Sequence, residues 1–353
     1  MAPHTLGAPG EAVRSSTTPY APSVPPRARS SISNMCHRRL TMRRLSVVAL
    51  VLSLVMPVDA AAECVAGRAS ADTPVALVFS GGGAKGAWEA GVASALVESG
   101  IPIALAAGSS AGALNAAMLA DGRLDRLETT WRGLTRADIY APRASVVFAG
   151  LLPGWLAAIA IGHADALLDS EPLRATLARS IDIPRIRASS VRVLVVATDL
   201  VRREARAFDN QTLTLDVLMG ATALPGVFPA VEVGGDLLVD GGLVARAPVL
   251  DALALATARR VLVLVSYATA ERGRAPRSVR AALEEAFETA MVHQIRRDAE
   301  LAQLRHPNVD IQLVLPSTPL DLRPLDFDPP RLAQAFDRGR DDGLACVRAW
   351  RGN

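Results

Sequence analysis

A pentapeptide of the form G-x-S-x-G, Gly108-Ser109-Ser110-Ala111-Gly112, sits between two stretches that leave little freedom of fold. Before it, Ile103 to Ala107 (IALAA) is a short apolar run that reads as a buried strand. After it, Ala111 to Ala120 is rich in helix formers and poor in β-branched residues. Strand, turn and helix in direct succession require a sharp turn. Gly108 and Gly112 let the two backbones pass closely there. Ser110 is then carried at the tip, beside the first free N–H groups of the helix. This is the setting of a nucleophile elbow.

Two further stretches share that grammar. Val75 to Phe79 reads as a strand, Gly81-Gly82-Gly83 follows, and Ala84 to Val97 reads as a helix. Glycines between a strand and a helix expose several backbone N–H groups and make an anion cradle. For acyl transfer such a cradle is an oxyanion hole. The other use, a nucleotide loop, requires a G-K-[ST] ending or G-x-G-x-x-G spacing, and residues 81–86 have neither. Further on, Leu237 to Val239 ends a strand with Asp240-Gly241-Gly242 at its mouth. Asp-Gly-Gly alone is a turn. In a chain with an elbow serine and a glycine loop, Asp240 becomes the candidate general base.

With these three motifs in order, the chain resembles the patatin-like phospholipases, in a bacterial secreted form. The G-G-G-x-[RK]-G loop lies at 81–86, G-x-S-x-G at 108–112 and D-G-[GA] at 240–242. Ala221 to Ala230 (ATALPGVFPA) is similar to the family's small-residue stretch ending in P-x-x-F-P. The similarity spans about 75 to 250. It implies a three-layer α/β/α sandwich on a mainly parallel sheet, and a Ser–Asp dyad in place of a triad. By position, Ser110 is the nucleophile and Asp240 the base. The oxyanion hole falls on Gly81, Gly82, Gly83 and Ala111, with Gly81 shaping the loop and the other three donating. Gly108, Gly112, Gly241 and Gly242 support the turns. Lys85, the one lysine in the chain, occupies the family's Arg/Lys position. It either supports the loop or a lipid phosphate, or is a solvated side chain. The substrate implied is a phospholipid or another fatty-acyl ester at a membrane interface, with no cofactor.

Other readings stand beside this one. A carboxylesterase triad of Ser110, Asp199 or Asp240, and His293 or His306 is available in order. His293 falls in a charged helical stretch, however, and His306 precedes Pro307 at a helix end. A third reading is a binding relative that has kept the fold without the chemistry. Asp199, closing the strand Val191 to Ala197, is a second candidate carboxylate or a plain turn residue. His163 is expected to be a satisfied polar partner. No metal-ligand spacing is present in the sequence.

The rest of the chain sets the surroundings. Residues 1–41 are Pro-, Ser- and Thr-rich without periodicity, a disordered leader or a stretch upstream of the true start. Residues 42–62 pair Met42-Arg43-Arg44 with a short apolar run and Ala60-Ala61-Ala62, the pattern of a signal peptide. A secreted or periplasmic protein follows, with an N-terminal membrane anchor as the alternative. Through Ala62, seven arginines against Glu11 and Asp59 carry +5 of the chain's net +3, so the remainder carries −2 and offers nothing to nucleic acid. Residues 63–73 are a linker, 74–268 the catalytic domain, and 269–353 a helical part packed on the same domain. A last strand is expected at Val309 to Leu315. Cys64 and Cys346 either pair across the chain or remain buried thiols. Ala144 to Leu168 is almost uncharged; we expect a core helix, against an apolar flap beside the site.

Overall fold

A computed structural model of the chain describes residues 64, 73–255, 258–267 and 275–352. The expected leader (1–41), the signal peptide (42–62) and most of the 63–73 linker lie outside the described residues. In chain order the strands of the main sheet are β1 (Val75–Phe79), β2 (Ile103–Gly108), β3 (Arg192–Asp199), β4 (Glu204–Asp209), β5 (Val231–Val233), β6 (Asp236–Val239), β7 (Arg260–Leu264) and β8 (Asp310–Val314). The helices that matter here are α1 (Gly86–Glu98), α2 (Ala111–Asp121), α3 (Leu124–Gly133), α4 (Ala144–Ala149), α5 (Gly154–Gly162), α6 (Leu215–Ala221), α7 (Val249–Leu255), α8 (Val279–Arg305) and α9 (Pro329–Arg351).

The sheet runs β8-β7-β1-β2-β3-β6-β5, with β4 on the remaining edge of β3. β8, β7, β1, β2 and β3 are parallel. The other three are antiparallel to their neighbours, so the sheet is mixed. Runs such as β1 (VALVF) and β7 (RVLVL) are buried at every position, as strands covered on both faces must be. Val75, Leu77 and Phe79 pack on one side with α1, α2, α3 and α9. Ala76 and Val78 pack on the other with α7 and α8. This is a three-layer α/β/α sandwich.

One offset in the sheet decides where the site forms. β2 pairs β3 only as far as Gly108 opposite Val195, while β3 continues to Asp199. β4 occupies the far edge of β3 from Leu194 to Asp199. The edge that β2 leaves open is taken by β6, with Thr198 opposite Val239. Because β6 runs antiparallel, its end returns toward the elbow and delivers Asp240 there. β4 and β5 are short, polar or isolated stretches that the sequence reading passes over.

The C-terminal part is integral to this domain. β8 extends the sheet, and α9 lies against α1 at backbone distance. A Cβ on Gly339 would fall 2.0 Å from the Trp88 carbonyl oxygen, and one on Gly91 would fall 2.1 Å from that of Phe336. Trp88 Nε1 donates to Asp342 Oδ2 at 2.8 Å across the same contact. Cys64 and Cys346 form a disulfide with Cα atoms 4.9 Å apart, fastening the first described residue to α9.

The expected core helix at 144–168 is not there. α4 and α5 form an exposed pair: Phe148 is 68%, Leu151 78% and Trp155 69% exposed, and α5 has no buried residue. The sequence lacks charge here for a reason other than burial. Among the described residues, no helix is long and apolar enough to cross a membrane.

The α1–α9 contact leaves no room for a methyl group. Gly339→Ala should therefore destabilise the protein by about 2–3 kcal/mol in urea unfolding; a loss under about 0.5 kcal/mol would show that the helices separate freely.

Candidate active site

The elbow is built as its glycines require. A Cβ on Gly108 would lie 2.2 Å from Gly112 O, and one on Gly112 would lie 2.5 Å from Ser80 O. Strand, helix and glycine loop are thus in backbone contact. Ser110 has φ 55° and ψ −131°, a conformation L-residues rarely adopt. Such strain persists where the surroundings over-determine it. Here its N–H donates to Ala221 O at 3.1 Å, and Ser109 Oγ donates to Arg246 O at 2.8 Å.

Asp240 is brought to the same place by the same short segment. Its N–H donates to Ala223 O at 2.9 Å, so Ala221 and Ala223 together hold the backbones of residues 110 and 240. The Asp240 carbonyl accepts from Thr198 Oγ1 at 2.9 Å. Oδ1 accepts from Gly242 N–H at 2.7 Å, capping a turn over Gly241–Leu243. Gly241 allows that turn to lie on β3: a Cβ there would be 2.0 Å from Val196 O. The Ser110 side chain lies beside the Asp240 carboxyl, close enough to lower its pKa. Burial pushes that carboxyl above the usual range. The Ser110 side chain, the bond from Gly242 and the charge of Arg246 oppose the shift without cancelling it.

The glycine loop divides its work. Gly81 N–H donates to Arg246 O at 3.1 Å and is therefore unavailable to a ligand; Gly81 shapes the loop. Among the described residues, the N–H groups of Gly82, Gly83 and Ala111 donate to no carbonyl. Gly83 has φ +57° and lies against Pro324 O, which fixes the loop from the C-terminal side.

Several single residues fall elsewhere than the sequence suggests. Lys85 is not solvated: it is buried, 3.6 Å from Glu288 Oε2 and 3.9 Å from the centre of the Tyr267 ring. Asp199 is a turn residue and no site carboxylate. Burial pushes its carboxyl up, but bonds from Arg202 and Val201, with the Arg202 charge, hold it below the ordinary range. His163 and His293 are exposed and His306 ends α8. Among the described residues, no histidine hydrogen-bonds to Ser110 or Asp240. Nor does any group of three or more His, Cys, Asp or Glu gather there for a metal.

Sequence reasoning passes over Glu89, Arg246, Ser266 and Tyr267. Glu89 Oε1 accepts from Ser80 N at 3.0 Å and Ser80 Oγ at 2.6 Å, at the residue before the glycines. Ser266 Oγ stands against Gly82, 2.7 Å from where its Cβ would be. The signal for Glu89 and Arg246 is present in retrospect: each is a lone charge inside a long apolar stretch. Such charges are buried and partnered.

The family model described as patatin-like phospholipase matches residues 77–253, half of the chain and all three motifs. The chain belongs to the patatin-like phospholipase family. Uncharacterized NTE family proteins of Mycobacterium bovis and Mycobacterium tuberculosis are 34% identical over 194 residues, covering 55% of this chain and 48% of theirs. The match spans about half the length of these curated relatives. VipD from Legionella pneumophila is a more distant structural likeness, with 14% identity, 79% of this chain and 67% of that one covered, and a TM-score of 0.44. The type III effector ExoU gives 18% identity, 80% and 55% coverage and a TM-score of 0.35.

Glu89 gives this patatin-like chain an unusual pH signature. Burial raises its pKa from 4.5 to about 8, against bonds from Ser80 and Asn115 and the charge of Arg246. Between those values the unfolded chain has lost a proton that the folded one keeps, so this group costs stability as pH rises. The stability of wild type relative to Glu89→Gln should therefore fall from pH 4.5 to about 8 and then level off. Thermal melts across that window check it; a difference independent of pH would mean Glu89 ionises normally.

Proposed function

We propose that this protein is a serine lipid acyl hydrolase, cleaving fatty-acyl esters of phospholipids through an acyl-enzyme on Ser110. The observation that carries this reading is the Ser110 side chain beside the Asp240 carboxyl, next to the N–H groups of Gly82, Gly83 and Ala111, which donate to no carbonyl among the described residues. Asp240 takes the Ser110 proton as Oγ attacks the ester carbonyl. The tetrahedral oxyanion lies on the N–H groups of Gly82, Gly83 and Ala111. Asp240 returns the proton to the departing alcohol, then takes one from the attacking water and passes it to Ser110 Oγ as the fatty acid leaves. A free carboxylate, with a pKa near ~3.9, is a weak base for serine. Burial of Asp240 moves it closer to a useful value.

The exposed α4–α5 pair supports action at a lipid surface. Phe148, Leu151 and Trp155 present an apolar face with an indole, suited to an interface. Its far end is tied to the site's own framework. Leu167 and Leu168 donate to Gly226 and Val227, a few residues beyond Ala221 and Ala223. The Cys64–Cys346 disulfide supports an oxidising compartment, and secretion by way of residues 42–62 belongs with this reading.

Labelling by a lipid-like fluorophosphonate tests the chemistry. It should require Ser110, drop at least about 10²-fold in Asp240→Asn, and persist in His293→Ala and His306→Ala. Loss of labelling in a folded histidine variant would establish the triad. No labelling of folded wild type would establish a non-catalytic relative. The surface is tested separately: Phe148→Glu with Trp155→Glu should reduce co-sedimentation with phosphatidylcholine vesicles about tenfold or more. Unchanged binding would remove α4–α5 from the interface.

A further inference from the structure

Arg246 lies in an apolar stretch just beyond Asp240-Gly241-Gly242 and is only 5% exposed. Its backbone joins three motifs. The carbonyl accepts from Gly81 N–H in the glycine loop and from Ser109 Oγ in the elbow. The N–H donates to Gln294 Oε1 at 3.3 Å, and Gln294 in turn donates to Val244 O at 2.8 Å, on the chain following the turn.

The guanidinium folds back over those same segments. Nη2 donates to the Tyr267 phenol at 3.2 Å. Nη1 lies 3.5 Å from the point a Gly242 Cβ would occupy, and Asp240 Oδ1 lies 3.0 Å from that point. Nε lies 3.2 Å from the corresponding point on Gly81, with Ser110 Cβ 2.7 Å from it. The guanidinium is therefore within about 6.5 Å of both the Asp240 carboxylate and the Ser110 β-carbon. Nε itself has no hydrogen-bond partner among the described residues.

The surrounding charges leave Arg246 facing Asp240. Glu288 is paired with Lys85 and lies beside Tyr267. Glu89 is uncharged below about pH 8. Tyr267 is neutral, since burial pushes its phenol up. Arg246 stays charged: burial works against it, but the acidic groups around it, Asp240 and Glu288 among them, raise its pKa. A base has to be ionised to accept a proton, and a buried carboxyl resists ionisation.

We propose that Arg246 is a positioning residue for the acyl-transfer reaction, its buried positive charge keeping Asp240 ionised while its backbone holds the elbow and glycine loop together. This rests on the Ser110–Asp240 reading above. It also accounts for an arginine buried at this position. The cost of burying the cation is offset by the anion it maintains.

The test is the pH dependence of fluorophosphonate labelling of Ser110 in the full chain. Wild-type labelling should fall on the acid side as Asp240 takes up a proton. Arg246→Gln should move that fall up by about one pH unit or more. Arg246→Lys, which keeps the charge, should leave it near the wild-type position, and Glu89→Gln should not move it. An unmoved fall in folded Arg246→Gln overturns the proposal. So does a fall displaced as far in Arg246→Lys as in Arg246→Gln. If Arg246→Gln does not fold, Arg246→Lys decides: a fall at the wild-type position supports the role, and a displacement of about one unit or more overturns it. The Asp240→Asn arm separates the two levels of argument. An acid fall that survives in Asp240→Asn belongs to another group, and then the dyad and this proposal fail together. A fall abolished in Asp240→Asn but unmoved in Arg246→Gln removes Arg246 alone.

Discussion

The site depends on two main-chain hydrogen bonds to one short segment. Ala221 and Ala223, at the end of α6, accept from Ser110 N–H and Asp240 N–H respectively. The two residues are 130 positions apart in sequence, yet their backbones are fixed on carbonyls two residues apart. A strained elbow could relax, and a buried carboxylate could drift toward a better-solvated pose. Both are prevented by bonds that no side-chain substitution removes. The same segment continues to Gly226 and Val227, which accept from Leu167 and Leu168 a few residues beyond the exposed apolar pair.

Behind the glycine loop lies a buried polar layer with three acid or phenol groups and two cations. Glu89, Tyr267, Glu288, Lys85 and Arg246 sit within one connected set of bonds and charges. Its balance is uneven by design of position. Lys85 and Glu288 satisfy each other, Glu89 is kept neutral by burial, and Arg246 is left toward Asp240. A loop whose backbone N–H groups must stay unpaired cannot be stabilised by pairing them. It is held instead by its neighbours: Ser80 through Glu89, Gly81 through Arg246, and Gly83 against Pro324. Free donors at the centre are maintained by fully engaged groups around them.

The packing of α9 on α1 serves the same end from outside. α1 begins at the glycine loop and carries Glu89, so its position sets the loop's. Backbone-close contact through Gly91 and Gly339, the Trp88–Asp342 bond and the disulfide at Cys346 leave it little freedom. The C-terminal part is thus a support for the site.

What the sequence by itself determined is local: the apolar runs of β1, β2, β3 and β7, the glycines between strand and helix, and the residue types at 110 and 240. These are short-range matters of periodicity and backbone freedom, and a few neighbouring residues suffice to state them. The direction of β6 was decided by tertiary structure, because it depends on β3 outrunning β2 and leaving an edge open. The exposure of 144–168 was decided there too, since an apolar stretch looks the same in a core or on a surface. The burial of Lys85, the neutral Glu89 and the orientation of Arg246 belong with them. Each depends on groups brought from distant positions, and a charge is defined by what surrounds it, which only the folded chain supplies.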